Sequence, residues 1–436
     1  GRIEICSVTA KGAFYALKTI RQALQCGKNH LVPATIEDWP ALAMRGMHLT
    51  MGEGHMPNFE RMLEIVSALA DHKINTLVLE YDDRFPWRRH PILPHKDTYT
   101  IGQLKELIRF AESKFIEIVP LLDSLGHVEY CLRHPEYAHL KERPENIQEM
   151  CPQNPKTLEF MKELWEEVLE MHKNSRYVHI TGDEVFRIPE GFCPECAKYA
   201  SSGRLGELFT KYYSELSRWI ISKGKIPMIW GNMLLKYPED ISNFPKDIII
   251  VDWCYYGIDS DFWDFKDFRD NPDGICDENR EKLFGKYWQG CHQPGKYPAY
   301  PTIRFFKDMG FNVVAAAASS NCFERHTVVS ALRHTVVNNK TFAKAAMECN
   351  ALGLINTHWA GSVSMEGAWL GVAAGADFAW RPREESFPRF AERFALSFLE
   401  QDASYGKRLL SLERLLADVE QEKEPVKISF QAAQAG

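Results

Sequence analysis

The chain has 436 residues, 45% of them hydrophobic, and a formal net charge of −7. This length allows a large buried core and suits one barrel of more than about 250 residues with additions. The negative charge argues against a nucleic-acid-binding protein, because such proteins concentrate positive charge. No apolar run reaches about 18 residues, so we expect no membrane span.

The cysteines give a weak indication of compartment. There are eleven of them, an odd number scattered along a large chain. This pattern does not resemble a disulfide framework and favours a reducing compartment such as the cytoplasm. The chain starts at Gly1 without a recognisable leader, so a signal peptide that has been removed is equally compatible with the sequence. We expect a soluble protein whose compartment and oligomeric state the sequence does not give.

The first 35 residues predict the end of a small accessory α/β domain. Ile3 to Val8 has the composition of a short strand, and Gly12 to Leu24 carries apolar residues at helical spacing. Neither segment has a partner of its own type nearby. We therefore expect this remnant to pack on a larger domain that follows it.

From residue 36 to residue 385 the pattern is regular and predicts a (β/α)8 barrel. Amphipathic helices are predicted for Asn58 to His72, Thr100 to Ser113, Pro155 to His172 and Gly206 to Lys223. Strand and helix alternate, which is typical of a parallel barrel whose active site lies at the carboxyl ends of the strands. The eight strand candidates are Ala43 to Leu49, Asn75 to Tyr81, Phe115 to Leu122, Tyr177 to Gly182, Ile226 to Gly231, Ile248 to Trp253, Asn312 to Ala317 and Leu352 to Thr357.

Two regions depart from this alternation. Cys254 to Tyr300 is rich in Asp, Gly, Pro and aromatic residues, and we expect this insertion to lie over the mouth of the barrel. Residues 386–436 predict a helical extension, with helices at Ser386 to Leu399 and Tyr405 to Glu420.

The fourth strand ends in two adjacent carboxylates. The β-branched run from Tyr177 to Thr181 is followed by Gly182 and then by Asp183 and Glu184. Two neighbouring acids repel each other unless one is protonated or a cation lies nearby, so stability does not explain the pair. The sequence predicts a catalytic strand end.

Polar and aromatic residues also follow the other strands, and together they predict a sugar site. Carboxylates transfer protons, while tryptophan faces stack on the apolar faces of a pyranose ring. Neither a phosphate-binding loop nor a dinucleotide fingerprint is present, and the spacing HExxH is absent. The residues at these positions are Arg45, His48, Asp82, Asp83, Asp123, His127, Trp230, Asn232, Asp252, Trp253, Tyr256, Ser320, Asn321, His358, Trp359 and Glu366.

Several motifs resemble those of the glycoside hydrolase family 20 β-N-acetylhexosaminidases. His179 to Glu184 is similar to that family's His-X-Gly-X-Asp-Glu signature, with Thr181 where many members have glycine. Pro120 to His127 is similar to its Pro-Glu-X-Asp-X-Pro-Gly-His motif. Further matches are Asp38-Trp39-Pro40 with Arg45-Gly46, Asn75 to Asp83, and Trp359. The resemblance covers roughly residues 1 to 385.

The resemblance implies retaining, substrate-assisted catalysis without a cofactor. The 2-acetamido oxygen of the sugar would attack its own anomeric carbon and form an oxazolinium intermediate, which is a recognised exception among glycosidases. Asp183 would orient the acetamido group and offset its charge, and Glu184 would protonate the glycosidic oxygen. Asp82 and His127 match a hydrogen-bonded relay that leads to Glu184.

The resemblance also implies a set of substrate-binding residues. Arg45 matches the arginine that holds the outer hydroxyls of the terminal sugar, although an arginine beside acids is often a structural ion pair. Trp230, Trp253 and Trp359 match the aromatic walls. Two positions depart from the family pattern. The acetamido oxygen lacks its usual tyrosine, which Tyr256, Tyr255 or Asn321 would replace, and Glu366 would hold O4 and O6 from an uncommon spacing.

The sequence Cys193-Pro194-Glu195-Cys196 has no part in a glycosidase mechanism. Together with Cys151 it leaves three alternatives open, namely a metal site, a disulfide or free thiols.

We therefore expect an exo-β-N-acetylhexosaminidase that acts on glycans with terminal GlcNAc or GalNAc and does not act on nucleic acid. The alternatives are a metal-dependent barrel hydrolase and a non-catalytic sugar-binding relative.

Overall fold

The fold is a closed parallel barrel surrounded by helices. A computed structural model describes residues 2–27, 29–52, 56–185, 192–255, 262–264, 286, 296–298, 300–320, 332–359 and 365–421. The barrel strands follow one another in the order β1-β2-β3-β4-β5-β6-β9-β10, and β10 pairs with β1 to close the ring. All eight strands predicted from the sequence are present, which confirms the (β/α)8 class. The strands are β1 Met44–Thr50, β2 Thr76–Glu80, β3 Glu117–Leu121, β4 Tyr177–His179, β5 Ile226–Trp230, β6 Ile249–Trp253, β7 Phe262–Asp264, β8 Lys296–Pro298, β9 Asn312–Ala318 and β10 Gly353–His358.

The helices lie between the strands and extend beyond the last of them. Local sequence determines where several of them begin. Asn58 caps the helix after β1 by accepting a hydrogen bond from the Arg61 N–H, and Thr100 and Gln103 form a capping box at the start of the helix between β2 and β3. The four barrel helices predicted from the sequence are present within two residues of the expected bounds. The helices are α1 Ala10–Cys26, α2 Phe59–Asp71, α3 Ile101–Ser113, α4 Glu129–Leu132, α5 Pro155–Met171, α6 Pro194–Ser201, α7 Leu205–Ser222, α8 Asn232–Lys236, α9 Pro301–Asp308, α10 Leu332–Glu348, α11 Met365–Trp380, α12 Phe387–Ser397 and α13 Ala403–Gln421.

Strand alternation divides the core into an inner and an outer layer. In β1, Met44 points into the barrel, whereas Met47 and Leu49 pack outward against the helices. In β2, Val78 points inward, whereas Leu77 and Leu79 point outward. The inner layer is a filled core rather than a pore, and its members are Met44, Val78, Val119, Leu121, Tyr177, Met228, Trp230, Ile249, Val251, Val314, Ala316 and Ile355.

The amino-terminal segment differs from its prediction. Residues 2–8 form no strand, and nearly all of them are exposed, so the strand expected at Ile3 to Val8 is wrong. A strand needs a neighbour to satisfy its backbone groups, and no described strand pairs with this segment. The predicted helix is present as α1, which packs on the base of the barrel through ion pairs from Lys18 and Arg21 to Asp71. The domain boundaries at residues 35 and 385 stay a prediction.

The two additions to the barrel are only partly described. The insertion after β6 contributes the antiparallel pair β7 and β8. The rest of its predicted course over the mouth falls almost entirely outside the described residues. Both helices predicted for the extension after residue 385 are present as α12 and α13, and residues 422–436 lie outside the described part. Within the described ranges no helix has the length and apolar content needed to cross a bilayer.

Candidate active site

The barrel register brings a set of polar side chains to one level at the carboxyl ends of the strands. Thr50 pairs with Glu80, Glu80 with Leu121, and Leu121 with His179, so these four residues lie side by side around the first half of the barrel. His48, Thr50 and Glu80 share the inward parity of Met44 and Val78. Glu80 accepts hydrogen bonds from Thr50 Oγ1 (2.9 Å) and contacts His48 Nε2 (2.8 Å). The barrel therefore ends in a polar layer directly above its apolar core.

The chain beyond β4 is held in an unusual backbone conformation. Thr181, Gly182 and Glu184 have φ values of 58°, 95° and 47°. Glycine is required at position 182, because a Cβ there would lie 2.7 Å from Ile229 Cγ1. A side chain at Gly126 would likewise crowd the Asp183 carbonyl at 3.0 Å. Left-handed conformations at residues other than glycine cost about 1–3 kcal/mol each and concentrate at functional sites.

This backbone presents Asp183 and Glu184 to His127, which follows β3. The Nε2 atom of His127 lies 3.3 Å from Glu184 Oε2 and 3.8 Å from Asp183 Oδ2. Burial lowers the pKa of His127, but the hydrogen bond to Glu184 and the charges of both carboxylates outweigh this and raise it to about 10. Burial raises the pKa of Asp183 to about 6, with a further rise from Glu184 opposed by His127. At neutral pH an imidazolium therefore faces an ionised Asp183.

The structure gives Asp82 a different partner from the predicted one, so the relay from Asp82 to His127 stays a prediction. Asp82 accepts a hydrogen bond from the Asp123 N–H (3.3 Å) and shares a side-chain hydrogen bond with Asp123. No ion pair joins it to His127 among the residues that the structure describes. Burial, with the charge of Glu80, raises the pKa of Asp82 well above its usual range, and burial beside Asp82 does the same for Asp123. Asp82 has a φ of 45°, which turns the chain away from a simple strand continuation.

The three predicted tryptophans are brought together at the same end of the barrel. Trp230 is almost fully buried, and its ring lies 4.4 Å from His179 and 6.0 Å from Trp359. Trp359 donates from Nε1 to the Tyr255 hydroxyl at 2.9 Å, and Tyr255 stacks on Trp253 with ring centres 5.1 Å apart. We call Trp230, Trp253, Tyr255 and Trp359 the aromatic floor. Trp230 adjoins the end of β4, because its backbone N–H donates to the Thr181 carbonyl.

Arg45 does not lie at this site, and its predicted role in holding a sugar is wrong. It is the second residue of β1, near the amino end of the barrel, and it has the outward parity of Met47 and Leu49. Its Nε donates to the Lys73 carbonyl and its Nη1 to the Leu42 carbonyl, at 3.0 and 2.9 Å. Its Nη2 donates to the Tyr15 hydroxyl at 3.1 Å. Strand parity and position both direct this guanidinium away from the mouth.

Three predicted substrate-binding residues are not placed in the site by the described part of the structure: Glu366, Tyr256 and Asn321. Glu366 begins α11 on the correct end of the barrel, but its carboxylate is largely exposed and pairs with Arg61 Nη2 at 2.8 Å. Tyr256 and Asn321 lie outside the described residues. The residue that would contact the acetamido oxygen therefore stays a prediction, with Tyr255 described and Tyr256 and Asn321 not.

The predicted cysteines do come together. Cys151 Sγ lies 3.5 Å from Cys193 Sγ and 3.8 Å from Cys196 Sγ. The potential ligand atoms of Glu142 and the three cysteines all lie within 4.8 Å of one another. A second group with this property, Glu80, Asp82 and Asp123, lies below the catalytic strand ends. Because burial raises the pKa values of both aspartates, that group can share protons instead of holding a cation.

Sequence reasoning missed Glu80 and gave no role to His48 or Asp123. Glu80 contacts His48 Nε2 in the buried polar layer, and Asp123 is the partner of Asp82. Strand alternation was the available signal, since His48 and Glu80 occupy inward positions that otherwise hold apolar residues. Asp123 and His48 had been recognised only as strand-end residues without a role.

Comparisons with known proteins agree with this geometry. The model of the glycosyl hydrolase family 20 catalytic domain matches residues 43–260, which is half of the chain. Hexosaminidase D from Homo sapiens is 28% identical over 218 residues, which cover 49% of this chain and 45% of that protein. A beta-hexosaminidase from Akkermansia muciniphila is 24% identical over 274 residues, covering 54% and 55% of the two chains. The matched part is thus about half the length of these relatives.

Solved structures give the same fold. The beta-N-acetylhexosaminidase from Bacteroides fragilis NCTC 9343 superimposes with a TM-score of 0.62 at 17% identity, covering 95% of this chain and 79% of that one. At this identity the likeness concerns the fold alone. The match of the family model over half the chain, which includes Asp183 and Glu184, shows that this chain belongs to glycoside hydrolase family 20.

Proposed function

We propose that this protein is a retaining exo-β-N-acetylhexosaminidase that removes terminal GlcNAc or GalNAc from glycans. The observation that carries the proposal is the group of Asp183, Glu184 and His127 at the end of β4, beside the aromatic floor. Family membership and the names of the relatives, which are hexosaminidases, support it.

The charges of the group suit a reaction in which the substrate supplies the nucleophile. When the acetamido oxygen attacks the anomeric carbon, positive charge develops on the acetamido group and on the sugar ring. Ionised Asp183 would accept a hydrogen bond from the acetamido N–H and offset this charge, because a carboxylate held in place acts directly on the charge that develops. The carboxylate is ionised at neutral pH because its pKa is about 6.

Glu184 and His127 would together manage the proton. Glu184 would protonate the departing glycosidic oxygen and later take a proton from the water that opens the intermediate. His127 carries a proton at neutral pH and faces Glu184 Oε2 at 3.3 Å.

A panel of nitrophenyl glycosides tests the proposal. We expect hydrolysis of the β-GlcNAc or β-GalNAc derivative, and a kcat/KM at least about 10³-fold lower for the matching glucoside, because the glucoside lacks the internal nucleophile. Proton NMR of the first product should show the β-anomer. Equal hydrolysis of the glucoside, or a product that appears first as the α-anomer, would contradict the mechanism.

The same panel separates the alternatives. A barrel hydrolase with a metal-bound water has no need of the 2-acetamido group, so it would hydrolyse both sugars. A non-catalytic relative would bind N-acetylhexosamine without turnover, and Glu184→Gln would then leave the measured rate unchanged at the background level.

A further inference from the structure

A cluster outside the catalytic group links the two loops on which that group depends. Glu142 and Cys151 lie in the segment between β3 and α5, which also carries His127. Cys193 and Cys196 begin α6, which follows the segment that carries Asp183 and Glu184. Glu142 Oε1 accepts a hydrogen bond from the Cys193 N–H at 3.0 Å, so the two segments already meet here.

The sulfur separations fit a shared metal ion better than a disulfide. Two thiolates bound tetrahedrally to zinc, with Zn–S bonds of about 2.3 Å, stand about 3.8 Å apart. The two separations from Cys151 Sγ are 3.5 and 3.8 Å. A disulfide requires sulfurs about 2.05 Å apart, and it would join two of the three cysteines and leave the third unused. The three sulfurs and a carboxylate oxygen of Glu142 all lie within 4.8 Å of one another, which is compatible with ligands around one ion.

Glu142 supplies the independent observation that points to a cation. Its side chain is almost entirely buried, with a residue exposure of 2%. In the described part of the chain its Oε2 atom accepts no hydrogen bond from a nitrogen or oxygen donor and no ion pair reaches Glu142, and the group beside its carboxylate is the Cys151 thiol. A buried carboxylate oxygen without a partner carries a large desolvation cost. A cation bound between this oxygen and the three sulfurs removes that cost.

The local backbone prepares the ligands. Cys193 caps α6, Pro194 occupies its first turn, and the Cys196 N–H donates to Cys193 Sγ at 3.3 Å. On the other segment, an antiparallel bridge between Lys141 and Met150 holds Glu142 beside Cys151. Each segment thus delivers two ligands on a short, fixed piece of chain.

We infer that Glu142, Cys151, Cys193 and Cys196 form a structural zinc site that joins the loop after β3 to the loop after β4. Three sulfur ligands and one oxygen suit Zn²⁺ better than Ca²⁺ or Mg²⁺, which prefer oxygen alone. Four protein ligands close the coordination sphere, which is typical of structural sites and leaves no position for substrate. The ion thereby fixes the distance between the segments that carry His127 and Glu184.

The site is tested by metal analysis of the full chain, independently of any substrate. Chain produced with added Zn²⁺ and passed through a desalting column should contain about one zinc ion, measured by plasma mass spectrometry. Cys196→Ser and Glu142→Gln should each lower the content severalfold. Cys131→Ser is the matched control, because Cys131 is a buried thiol of α4 in the same β3–α5 segment, and its Sγ donates to the Val128 carbonyl. It should keep the full content.

Two further measurements guard against variants that fail to fold. Wild-type chain stripped with a chelator should unfold at a lower temperature and recover when Zn²⁺ is returned. Stripped chain that takes up Co²⁺ should show the visible absorption of a tetrahedral cobalt–thiolate centre. Wild type without zinc after this treatment, a disulfide among the three cysteines, or full zinc retention in Cys196→Ser would each overturn the site. None of these results depends on the proposed hydrolase activity.

Discussion

Charged groups have different surroundings at the two ends of the barrel. At the amino end, Arg45 donates to backbone carbonyls and to Tyr15, and its guanidinium lies 5.0 Å from the Trp380 ring. Lys73 pairs with Asp38, which also accepts from the Trp380 indole N–H. At the carboxyl end, Glu80, Asp82 and Asp123 are buried carboxyl groups close to one another, and the partly buried Asp183 lies near them. The amino end thus gives its cations acidic, carbonyl and aromatic partners, whereas the carboxyl end gathers acidic groups.

Backbone conformation shows the same contrast. Lys73 and Phe115 have positive φ values at the amino end, but each terminates a helix, where the following N–H groups bond back to α2 and α3. At the carboxyl end, positive φ falls on Asp82, His127 and Glu184, which lie at the strand ends beside the proposed catalytic group and end no helix. Strain at the amino end is therefore ordinary helix termination, and strain at the carboxyl end accompanies function.

A cavity does not by itself mark the active end. A space of about 720 Å³ at the amino end is lined by Glu117, Glu167 and Arg176, among others. Its charged groups pair with one another: Arg176 with Glu117, and Arg88 with Glu167. The catalytic group is recognised instead by two adjacent carboxylates that face one histidine at the carboxyl ends of the strands. In barrel enzymes chemistry belongs to the carboxyl end and stability to the amino end, and each prediction below tests that division.

Asp183→Asn should have the largest effect. The amide cannot offset the charge of the oxazolinium intermediate, so kcat/KM on nitrophenyl-GlcNAc should fall by about 10³-fold. Asp71→Asn is the control at the amino end, where the carboxylate pairs with Lys18 and Arg21. It should leave the rate within about twofold, since exposed ion pairs contribute little. Comparable losses of kcat/KM in both variants would contradict the assignment of catalysis to the carboxyl end.

Arg45→Met should destabilise the fold without weakening substrate binding. Removing the guanidinium leaves the Lys73 and Leu42 carbonyls without their donors, which should lower the free energy of unfolding by about 2–4 kcal/mol. The KM for nitrophenyl-GlcNAc should not change. Arg176→Met, at the same end but largely exposed, should cost less than about 1 kcal/mol. A raised KM for Arg45→Met at unchanged stability would restore the role implied by the family resemblance.

Arg45 also shows where prediction from sequence succeeds and where it fails. Hydrophobic periodicity located all eight strands, and the order of polar residues at their ends located Asp183, Glu184 and His127. A motif does not give strand parity, so Arg45 was assigned to the wrong face and the wrong end. The partner of Asp82 was missed because its positive φ and the close approach of Asp123 depend on the folded chain.

The pH profile should have an acid limb controlled by Asp183. Its pKa is raised from 3.8 to about 6, so the carboxylate is ionised above that pH and protonated below it. Because the ionised form is the active one, kcat/KM should fall about tenfold for each pH unit below about 6. Initial rates between pH 4 and 8 measure this limb.

His127→Gln should move that limb to higher pH, because His127 is the charge that lowers the Asp183 pKa. The folded-state pKa of His127 lies above its usual 6.5, at about 10. Its protonation therefore stabilises the fold fully below about 6.5, and this contribution is lost as the pH rises through about 10. The stability difference between wild type and variant should shrink over that range. His139→Gln, an exposed histidine of the same loop, should leave both curves unchanged.

Trp359→Phe should have the smallest effect of the four changes. Phenylalanine keeps an aromatic face over His48 but loses the hydrogen bond from Nε1 to the Tyr255 hydroxyl. One such bond contributes about 1 kcal/mol, so KM should rise by about fivefold while kcat changes little. Trp219→Phe on α7, where the ring lies beneath Lys223, should change neither value. An unchanged KM for Trp359→Phe would mean that the aromatic floor serves to complete the barrel core and does not bind substrate. Such a structural role is compatible with the packing of Trp253 and Trp359 on the inner layer.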